Sequence, residues 1–178
     1  MSASGLSEPM GSREALRTQT EDASPSLSIR KAETCDARPL AALMCQLGYP
    51  SREDEMTDRL RDILQRNDYL VAVGILEGQV VGVVAAMMGV YIEMNGRYGR
   101  VTALSVAKAH RGQSIGALLL AHAESWLRAR GAAAGIVNCS TRRADAHRFY
   151  EREGYRVTGV RFHKDFRSVD PETHPAVS

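Results

Sequence analysis

The stretch Leu104-Ser-Val-Ala-Lys-Ala-His-Arg-Gly-Gln-Ser-Ile-Gly-Ala-Leu-Leu-Leu120 decides how the chain is organised. An apolar segment of strand character ends, a short polar turn follows, and a helix begins with Gly112 and Gly116 around its first turn. The first N–H groups of a helix have no intrahelical acceptor, and the helix dipole makes that end positive. Such a turn can bind phosphate, because glycine lets the backbone approach the anion closely. Glycine and polar residues are also common wherever a strand joins a helix, so the pattern by itself leaves both interpretations open.

The turn differs from the two commonest phosphate-binding sequences. It contains neither the G-x-G-x-x-G of dinucleotide-binding turns nor the G-x-x-x-x-G-K-[ST] of a Walker loop. Arg111 adds a positive side chain at its start. These features disfavour the commoner phosphate-binding motifs, and they leave open both an anion-binding turn of another kind and an ordinary strand–helix connection.

Apolar periodicity on either side of the turn predicts the other elements. Helices are expected at 40–47, at 51–64 with Ser51 as its N-cap, at 116–130 and at 144–153. Strands are expected at 27–31, 69–75, 79–91, 99–106 and 133–139, with a closing pair at 155–160 and 162–166. One helix separates 99–106 from 133–139, so these strands should be parallel and joined by a crossover. Small apolar residues predict that 133–139 is buried on both faces.

This order predicts an α+β fold in which helices flank a mixed central β-sheet within a single domain. The domain should span 27–167. Residues 1–26 are rich in Ser, Thr, Glu and Pro and are predicted to form a disordered N-terminal tail. Residues 168–178 are predicted to form a C-terminal tail.

Charge and composition narrow the class of protein. The formal net charge of +2 gives no reason to expect a nucleic-acid or membrane partner. No apolar run approaches the roughly 20 residues that span a bilayer, and the N-terminus lacks the apolar core of a signal peptide. Cys35, Cys45 and Cys139 lack metal-ligand spacing, and we interpret them as reduced, mostly buried thiols. A cytoplasmic protein without a metal is therefore expected.

Two segments resemble the GNAT acetyltransferases. Arg111-Gly112-Gln113-Ser114-Ile115-Gly116-Ala117 resembles the family's Arg/Gln-x-x-Gly-x-Gly/Ala signature, which lies between its fourth strand and its third helix. Ala146-His-Arg-Phe-Tyr-Glu-Arg-Glu-Gly-Tyr155 resembles the family's C-terminal A-x-x-F-Y-E-x-x-G-F segment. The predicted strand order and helix placement also match the family from Leu27 to Phe166.

The resemblance implies an acetyl-CoA-dependent N-acetyltransferase that moves acetyl from the thioester directly to an amine, with no acyl-enzyme. Pantetheine would pair with the strand at Leu104, Ser105 and Val106, and a backbone N–H near Val106 would polarise the thioester carbonyl. The phosphates would bind at the turn, to Arg111, Gly112, Gln113, Ser114, Ile115, Gly116 and Ala117. A homodimer is implied by family analogy alone.

Three further residues are candidates for contact with the cofactor. Ser114 stands where the family usually has glycine, so it should have a helix-compatible conformation and add a hydroxyl contact to phosphate. Arg143 stands where asparagine is frequent in the family, and it would either reach the cofactor phosphates or lie on a solvated basic face. His147 lies one helical turn before Tyr150 and would either contact the cofactor or be a surface histidine.

The resemblance assigns the proton donor, whereas the proton acceptor stays open. Tyr150 matches the family's acid, and its alternative role is that of a core aromatic. The leaving thiolate, with a pKa of about 8.5, benefits from a proton donor, and an amine of pKa about 10.4 must lose a proton before it attacks. Glu93 is the candidate base. Its alternative role is that of a solvated charge in a hairpin, in which case the amine would lose its proton through water.

The acceptor is predicted only by class. Acidic residues outnumber arginines around the second helix, which favours a small cationic amine; the acids are Glu53, Asp54, Glu55, Asp58, Asp62 and Asp68. The alternatives are a protein or peptide N-acetyltransferase and a non-catalytic CoA-binding module. The intact turn and Tyr150 argue against the module, and the sequence does not identify the amine.

Overall fold

A computed structural model describes residues 26–166 and has a five-stranded sheet at its centre. The strands are β1 (Ser28–Lys31), β2 (Tyr69–Leu76), β3 (Gln79–Val90), β4 (Arg97–Val106) and β5 (Ala132–Val137). They lie side by side in chain order, and every neighbouring pair is antiparallel except β4 and β5. The predicted mixed sheet and its parallel pair are therefore confirmed.

Four α-helices cover the sheet on its two faces. They are α1 (Ala37–Leu47), α2 (Glu53–Leu64), α3 (Ile115–Ala129) and α4 (Ala144–Arg152). Buried side chains of α1 and α2, such as Leu40 and Leu60, pack with β2 and β3 on one face. Leu119 and Leu127 of α3 pack on the other face. Helices α1, α2 and α3 bury the apolar stripes that their sequence periodicity indicates, and α4 packs its partly buried Phe149 and Tyr150 against the core, so the α+β architecture follows from the pattern.

The strands β4 and β5 separate before β4 ends. Their pairing runs from Arg97 opposite Ala132 to Val101 opposite Val137 and stops there. On the other side of β4 the register with β3 shifts at the same point, because Ala86 pairs with Val101 and Ala85 pairs with Ala103. Thr102 is the extra residue of this bulge, which bends the strand. The β5-facing edge of residues 102–106 is left without a strand partner.

Helix α1 holds the end of β4 in place from the sheet face opposite to the one that α3 covers. The buried hydroxyl of Ser105 donates to the Leu43 carbonyl at 3.1 Å, and the Lys108 N–H donates to Gln46 Oε1 at 3.1 Å. These bonds hold the last residues of β4 and the turn after them in place. A short 3₁₀ turn, Lys108–His110, then leads to α3.

The predicted closing strand pair is absent. Residues 155–166 contain no strand, and Val157 and Phe162 are 82% and 94% exposed. A strand exists only through its hydrogen bonds to a neighbour, and this segment does not run beside β5. Strand β5 therefore forms the edge of the sheet within the described residues.

Three further expectations are wrong in detail. Residues 133–136 of β5 are exposed, because the strand lies at the sheet edge and α3 covers little more than its ends. Helix α2 is capped by Arg52 instead of Ser51, since the Glu55 carboxylate accepts the Arg52 N–H at 3.0 Å. Cys35 and Cys45 are exposed instead of buried, because Cys35 precedes α1 and Cys45 lies outside the buried stripe of that helix.

The predicted tails, 1–26 and 168–178, fall outside the described residues except for Ser26. Within the described part of the chain, no helix is long and apolar enough to cross a membrane.

Candidate active site

The turn between β4 and α3 presents free backbone N–H groups. Gly112 has φ +79°, a left-handed conformation that glycine adopts without strain. The first intrahelical bond of α3 runs from the Leu118 N–H to the Ser114 carbonyl at 3.1 Å, so the N–H groups of Ile115 and Gly116 have no acceptor within the helix. A Cβ built at Gly112 meets nothing within 4 Å, which leaves open space above the turn. This is the geometry of an anion site.

Ser114 does not have the helix-compatible conformation expected from the sequence. It is the N-cap of α3 with φ +60° and ψ 3°, and its hydroxyl caps no helix N–H. An L-residue pays roughly 1–2 kcal/mol for the left-handed region, which glycine enters freely. Ser114 therefore has the left-handed backbone conformation that a glycine would adopt at this position without strain.

Arg111 is tied to the end of β4. Its Nε donates to the Val106 carbonyl at 3.1 Å, and within residues 26–166 its terminal nitrogens have no other partner. The exposed guanidinium thus lies beside the turn with its remaining N–H groups available. Val106 and the turn are adjacent through this bond.

Helix α4 forms the second wall of the space between β4 and β5. A Cβ placed on Gly116 would lie 3.5 Å from the Phe149 ring and 3.8 Å from Val106 Cγ2, so Gly116 is where α3, α4 and β4 meet. Leu104, Val106, Phe149 and Tyr150 all pack against the same core cluster. The structure therefore brings Tyr150 together with the strand and turn that the sequence singled out.

Tyr150 is held by other aromatic rings while its hydroxyl stays unbonded. Its ring meets Phe149 and Tyr155 edge-on, with centroids 5.2 Å and 5.7 Å away. Burial, followed by the electrostatic influence of nearby Cys139, raises the pKa of Tyr150 to about 12, whereas Arg143 acts to lower that pKa. Among residues 26–166 the hydroxyl has no hydrogen-bond partner. The phenol is therefore neutral at physiological pH.

The neighbouring Tyr155 has a structural contact instead. Its hydroxyl donates to Glu124 Oε1 at 3.0 Å, which ties the end of α4 to α3. Burial and the Glu124 carboxylate raise the pKa of Tyr155.

Arg143 and His147 lie at the start of α4. Arg143 is the N-cap of the helix, and its exposed side chain has no ion pair within the described residues. His147 Nε2 lies 2.9 Å from the Ser140 carbonyl, so the imidazole already fastens α4 to the loop after β5. This bond gives His147 a structural role that sequence reasoning missed.

A pocket of about 350 Å³ opens on the other side of the point where β4 and β5 separate. It is lined by Val90, Tyr91, Ile92, Glu93, Tyr98, Arg100, Ile136 and Asn138. Glu93 is exposed, and one of its carboxylate oxygens accepts the Ile92 N–H at 3.1 Å. Tyr150 is not among the lining residues, so the two predicted catalytic residues do not share this pocket.

Sequence reasoning missed Tyr98, Arg100 and Asn138 as pocket residues. Tyr98 and Arg100 alternate with Gly99 and Val101 along β4, and this alternation was the available signal. Asn138 follows β5 directly and carries no signal of its own in the sequence.

The acidic residues of α2 do not form a cation site by themselves. Asp54 pairs with Arg52, Asp58 pairs with Arg61, and Glu53 lies 4.0 Å from Arg38. Asp68, just after the helix, pairs with Arg66 at 2.8 Å. Most of the acidic excess is thus neutralised within its own surface.

Comparisons with known proteins agree with this geometry. Residues 37–155 match the model of the Acetyltransferase (GNAT) family. The chain is 34% identical over 154 residues to an aminoalkylphosphonate N-acetyltransferase from Salmonella typhimurium, covering 84% of this chain and 97% of that protein. A GNAT family acetyltransferase from Staphylococcus aureus is 25% identical with a TM-score of 0.68, covering 79% of this chain and 99% of that one. An aminoglycoside N-acetyltransferase in complex with CoA shares the fold at 16% identity and a TM-score of 0.72, covering 81% and 97%.

The left-handed Ser114 generates a stability prediction. Ser114→Gly should raise the free energy of unfolding by about 1 kcal/mol, because glycine has no steric penalty at φ +60°. Ser125 lies exposed within α3, where glycine should lower that free energy by about 0.5 kcal/mol, so Ser125→Gly is the matched control. Urea denaturation of both variants measures the two changes. Equal destabilisation by both substitutions would contradict the strain at Ser114.

Proposed function

Because the chain belongs to the GNAT acetyltransferase family and is an N-acetyltransferase, we propose that its acceptor is the primary amine of a small molecule. The observation that carries this proposal is the pocket of about 350 Å³ beside the separation of β4 and β5. Ligand pockets for small molecules begin at roughly 300 Å³. The relative from Salmonella typhimurium acts, by its name, on aminoalkylphosphonates, which are small amines. A protein or peptide acceptor is the alternative that the size of the pocket disfavours.

The turn before α3 receives the phosphates of acetyl-CoA. The free N–H groups of Ile115 and Gly116 and the positive helix end attract the pyrophosphate, and Arg111 adds a fixed positive charge. Gly112 leaves room for the anion to approach the backbone. Arg143, across the groove on α4, is close enough to the Tyr150 phenol to influence its pKa and supplies further positive charge.

Pantetheine extends along the unpaired edge of β4. From Val106, beside the turn, to Thr102, where β4 leaves β5, the strand spans roughly 13 Å. The thioester therefore lies toward the bulge, and the N–H that polarises its carbonyl belongs near Leu104 instead of near Val106. One such donor contributes roughly 3 kcal/mol to the transition state. Ser105 acts only through its backbone, because its hydroxyl is bonded to Leu43.

Tyr150 protonates the departing thiolate. With a pKa of about 12, the phenol keeps its proton throughout the pH range in which an acceptor amine, of pKa about 10.4, begins to deprotonate. Tyr150 packs against the same core cluster as Leu104, which places α4 beside the end of the groove where we expect the thioester. The thiolate takes the proton that Tyr150 donates, and CoA leaves as a neutral thiol.

Glu93 or a water next to it accepts the proton that the amine loses. Glu93 lines the acceptor pocket, and its carboxylate is held by the Ile92 N–H. Acid and base thus lie on opposite sides of the transferred acetyl group.

The setting of the reaction follows from two further features. Free thiols at Cys35, Cys45 and Cys139 suit the reducing cytoplasm, where we place the enzyme. A homodimer, as the family resemblance implies, would give exposed apolar side chains such as Val157, Val160 and Phe162 a surface to pack against.

The phosphate turn can be tested at two glycines that flank α3, Gly112 before it and Gly131 after it. Gly112→Leu should weaken acetyl-CoA binding at least tenfold, about 1.4 kcal/mol, because the side chain occupies the space the pyrophosphate needs. Gly131, at the other end of α3, also has a left-handed φ of +81° and an open environment, so Gly131→Leu carries the same backbone strain. Calorimetry on the folded variants should show normal affinity for the Gly131 variant. Unchanged affinity in the Gly112 variant would move the phosphate site elsewhere.

Removing the Tyr150 hydroxyl distinguishes a role as proton donor from a role as core aromatic. Tyr150→Phe keeps the ring packing and should lower kcat by roughly 10²–10⁴-fold, with little change in acetyl-CoA affinity. Tyr155→Phe removes a hydroxyl that bonds only Glu124, and it should lower thermal stability while kcat stays near normal. Steady-state kinetics and melting curves make the comparison. Near-normal kcat in Tyr150→Phe would leave Tyr150 as a core aromatic.

A panel of acceptors tests the proposed function directly. CoA release from acetyl-CoA should be fastest with small primary amines, aminoalkylphosphonates among them, and slow with lysine-containing peptides. Faster release with peptides would reverse the proposal, and no release with any amine would reject it.

A further inference from the structure

Arg100 differs from every other arginine in the described part of the chain. It is the only arginine between residues 26 and 166 that is partly buried; the others are exposed. Several exposed arginines have carboxylate partners, such as Arg30 with Asp36 and Arg128 with Glu124. Arg100 makes no ion pair and no side-chain hydrogen bond within residues 26–166. Withdrawing a charge from water without a partner is costly, so this guanidinium fits a bound anion.

The strand places Arg100 on the acceptor side of the sheet. A Cβ on Gly99 would lie 2.4 Å from Leu127, so Gly99 faces α3. Side chains alternate along a strand, which puts Tyr98 and Arg100 on the opposite face. Arg100 stands in one cross-strand row with Met87 and Ile136 on that face.

The pocket around Arg100 contains fixed polar groups. The Tyr98 ring lies over Gly89, where an added Cβ would come within 2.3 Å of Tyr98 Cζ, and its centroid is 4.9 Å from that of Tyr91. The Asn138 amide also lines the pocket and can donate to an anion. An arginine fork with phenol and amide donors nearby matches a phosphonate, phosphate or carboxylate group.

The same pocket contains a negative charge as well. Glu93 lines it, and no ion pair within 4.0 Å joins Glu93 to Arg100. A pocket with opposite charges that do not neutralise each other suits a ligand with both an ammonium and an anionic group. The ammonium belongs near Glu93, where the proposed reaction needs an amine to lose its proton.

We propose that Arg100 binds the anionic group of the acceptor, which makes the substrate class small aminoalkyl anions, with phosphonates foremost. Arg100 lies two residues before Thr102, where β4 leaves β5, so it anchors the acceptor at the thioester end of the donor groove. This assignment rests on the proposed function, and it goes beyond it by naming the residue that selects the acceptor. The proposed acceptor is therefore a zwitterion, whereas the sequence predicted a small cationic amine.

Two acceptors of equal chain length isolate the contribution of the anion. We compare (2-aminoethyl)phosphonate with ethanolamine, in which a neutral hydroxyl replaces the phosphonate. A charge-assisted bidentate contact is worth roughly tenfold to a hundredfold in binding, so wild-type kcat/KM should favour the phosphonate by that factor. The preference should appear mainly in KM, because the anion is bound equally in the ground and transition states.

Variants on one strand assign the preference to Arg100. Arg100→Gln should remove most of the phosphonate preference by raising KM roughly tenfold to a hundredfold, and Arg100→Lys should restore part of it. Arg97, exposed on the same strand and outside the pocket lining, gives the charge control, since Arg97→Gln should keep the preference. Melting curves verify that each variant is folded.

A binding measurement separates this inference from the proposed function. Calorimetry of (2-aminoethyl)phosphonate with CoA-saturated protein needs no turnover, and Arg100→Gln should weaken the affinity by the same factor. Binding that depends on Arg100 without any CoA release would support the anion site and reject the proposed reaction. Equal use of both acceptors, or wild-type binding of the phosphonate that Arg100→Gln leaves unchanged or that cannot be detected, would overturn the role of Arg100.

Discussion

The backbone of β4 from Thr102 to Val106 has a strand partner on one side only, and the rest of the site depends on this. The bulge at Thr102 bends the strand just where its pairing with β5 stops at Val101. Unpaired backbone groups at a sheet edge need hydrogen-bond partners, and we propose that the amides of the pantetheine arm supply them in place of a sixth strand. Ser105 and Lys108 bond to α1, so the edge stays rigid even without that partner. The α3 N-terminus and α4 then take their places at one end and one side of the same opening.

Much of this arrangement was predictable because local patterns and tertiary contacts agree. The apolar stripes of α1, α2 and α3 and the turn at Gly112 depend on short-range spacing, which a single sequence carries. The parallel pairing of β4 with β5 followed from one intervening helix. The turn itself kept its left-handed geometry at Ser114, although the residue type suggested otherwise, because the close approach of α3 to β4 constrains the backbone more strongly than the serine side chain does.

The pocket at Glu93 and Arg100 was not predictable in the same way, since it depends on distances between separate segments. Arg100 becomes unusual only when its burial and its lack of a partner are both known, and neither is visible in the sequence. The sequence identified Glu93 as a candidate through its position before β4. Its pocket neighbours Tyr98, on β4, and Asn138, directly after β5, come together only through the register of those two strands, which the sequence does not reveal. Strand β5 was expected to be buried because its residues are small and apolar, but at a sheet edge the same residues leave an open wall.

The net charge of +2 does not reveal which charged side chains are paired and which are unpaired. Around α2, arginines and acids neutralise each other at the surface, where such pairs contribute little to stability and bind nothing further. The unpaired charges are the informative ones. Within the described residues, Arg111 lies beside the turn and Arg143 at the start of α4, where we propose that the polyanionic donor binds, whereas Arg100 and Glu93 line one pocket with opposite charges. In the proposed reaction, the polyanionic donor and the anionic end of the zwitterionic acceptor are therefore bound at separate positive groups. The anionic end brings the amine to the thioester, and Glu93 or a water beside it removes the proton of the ammonium.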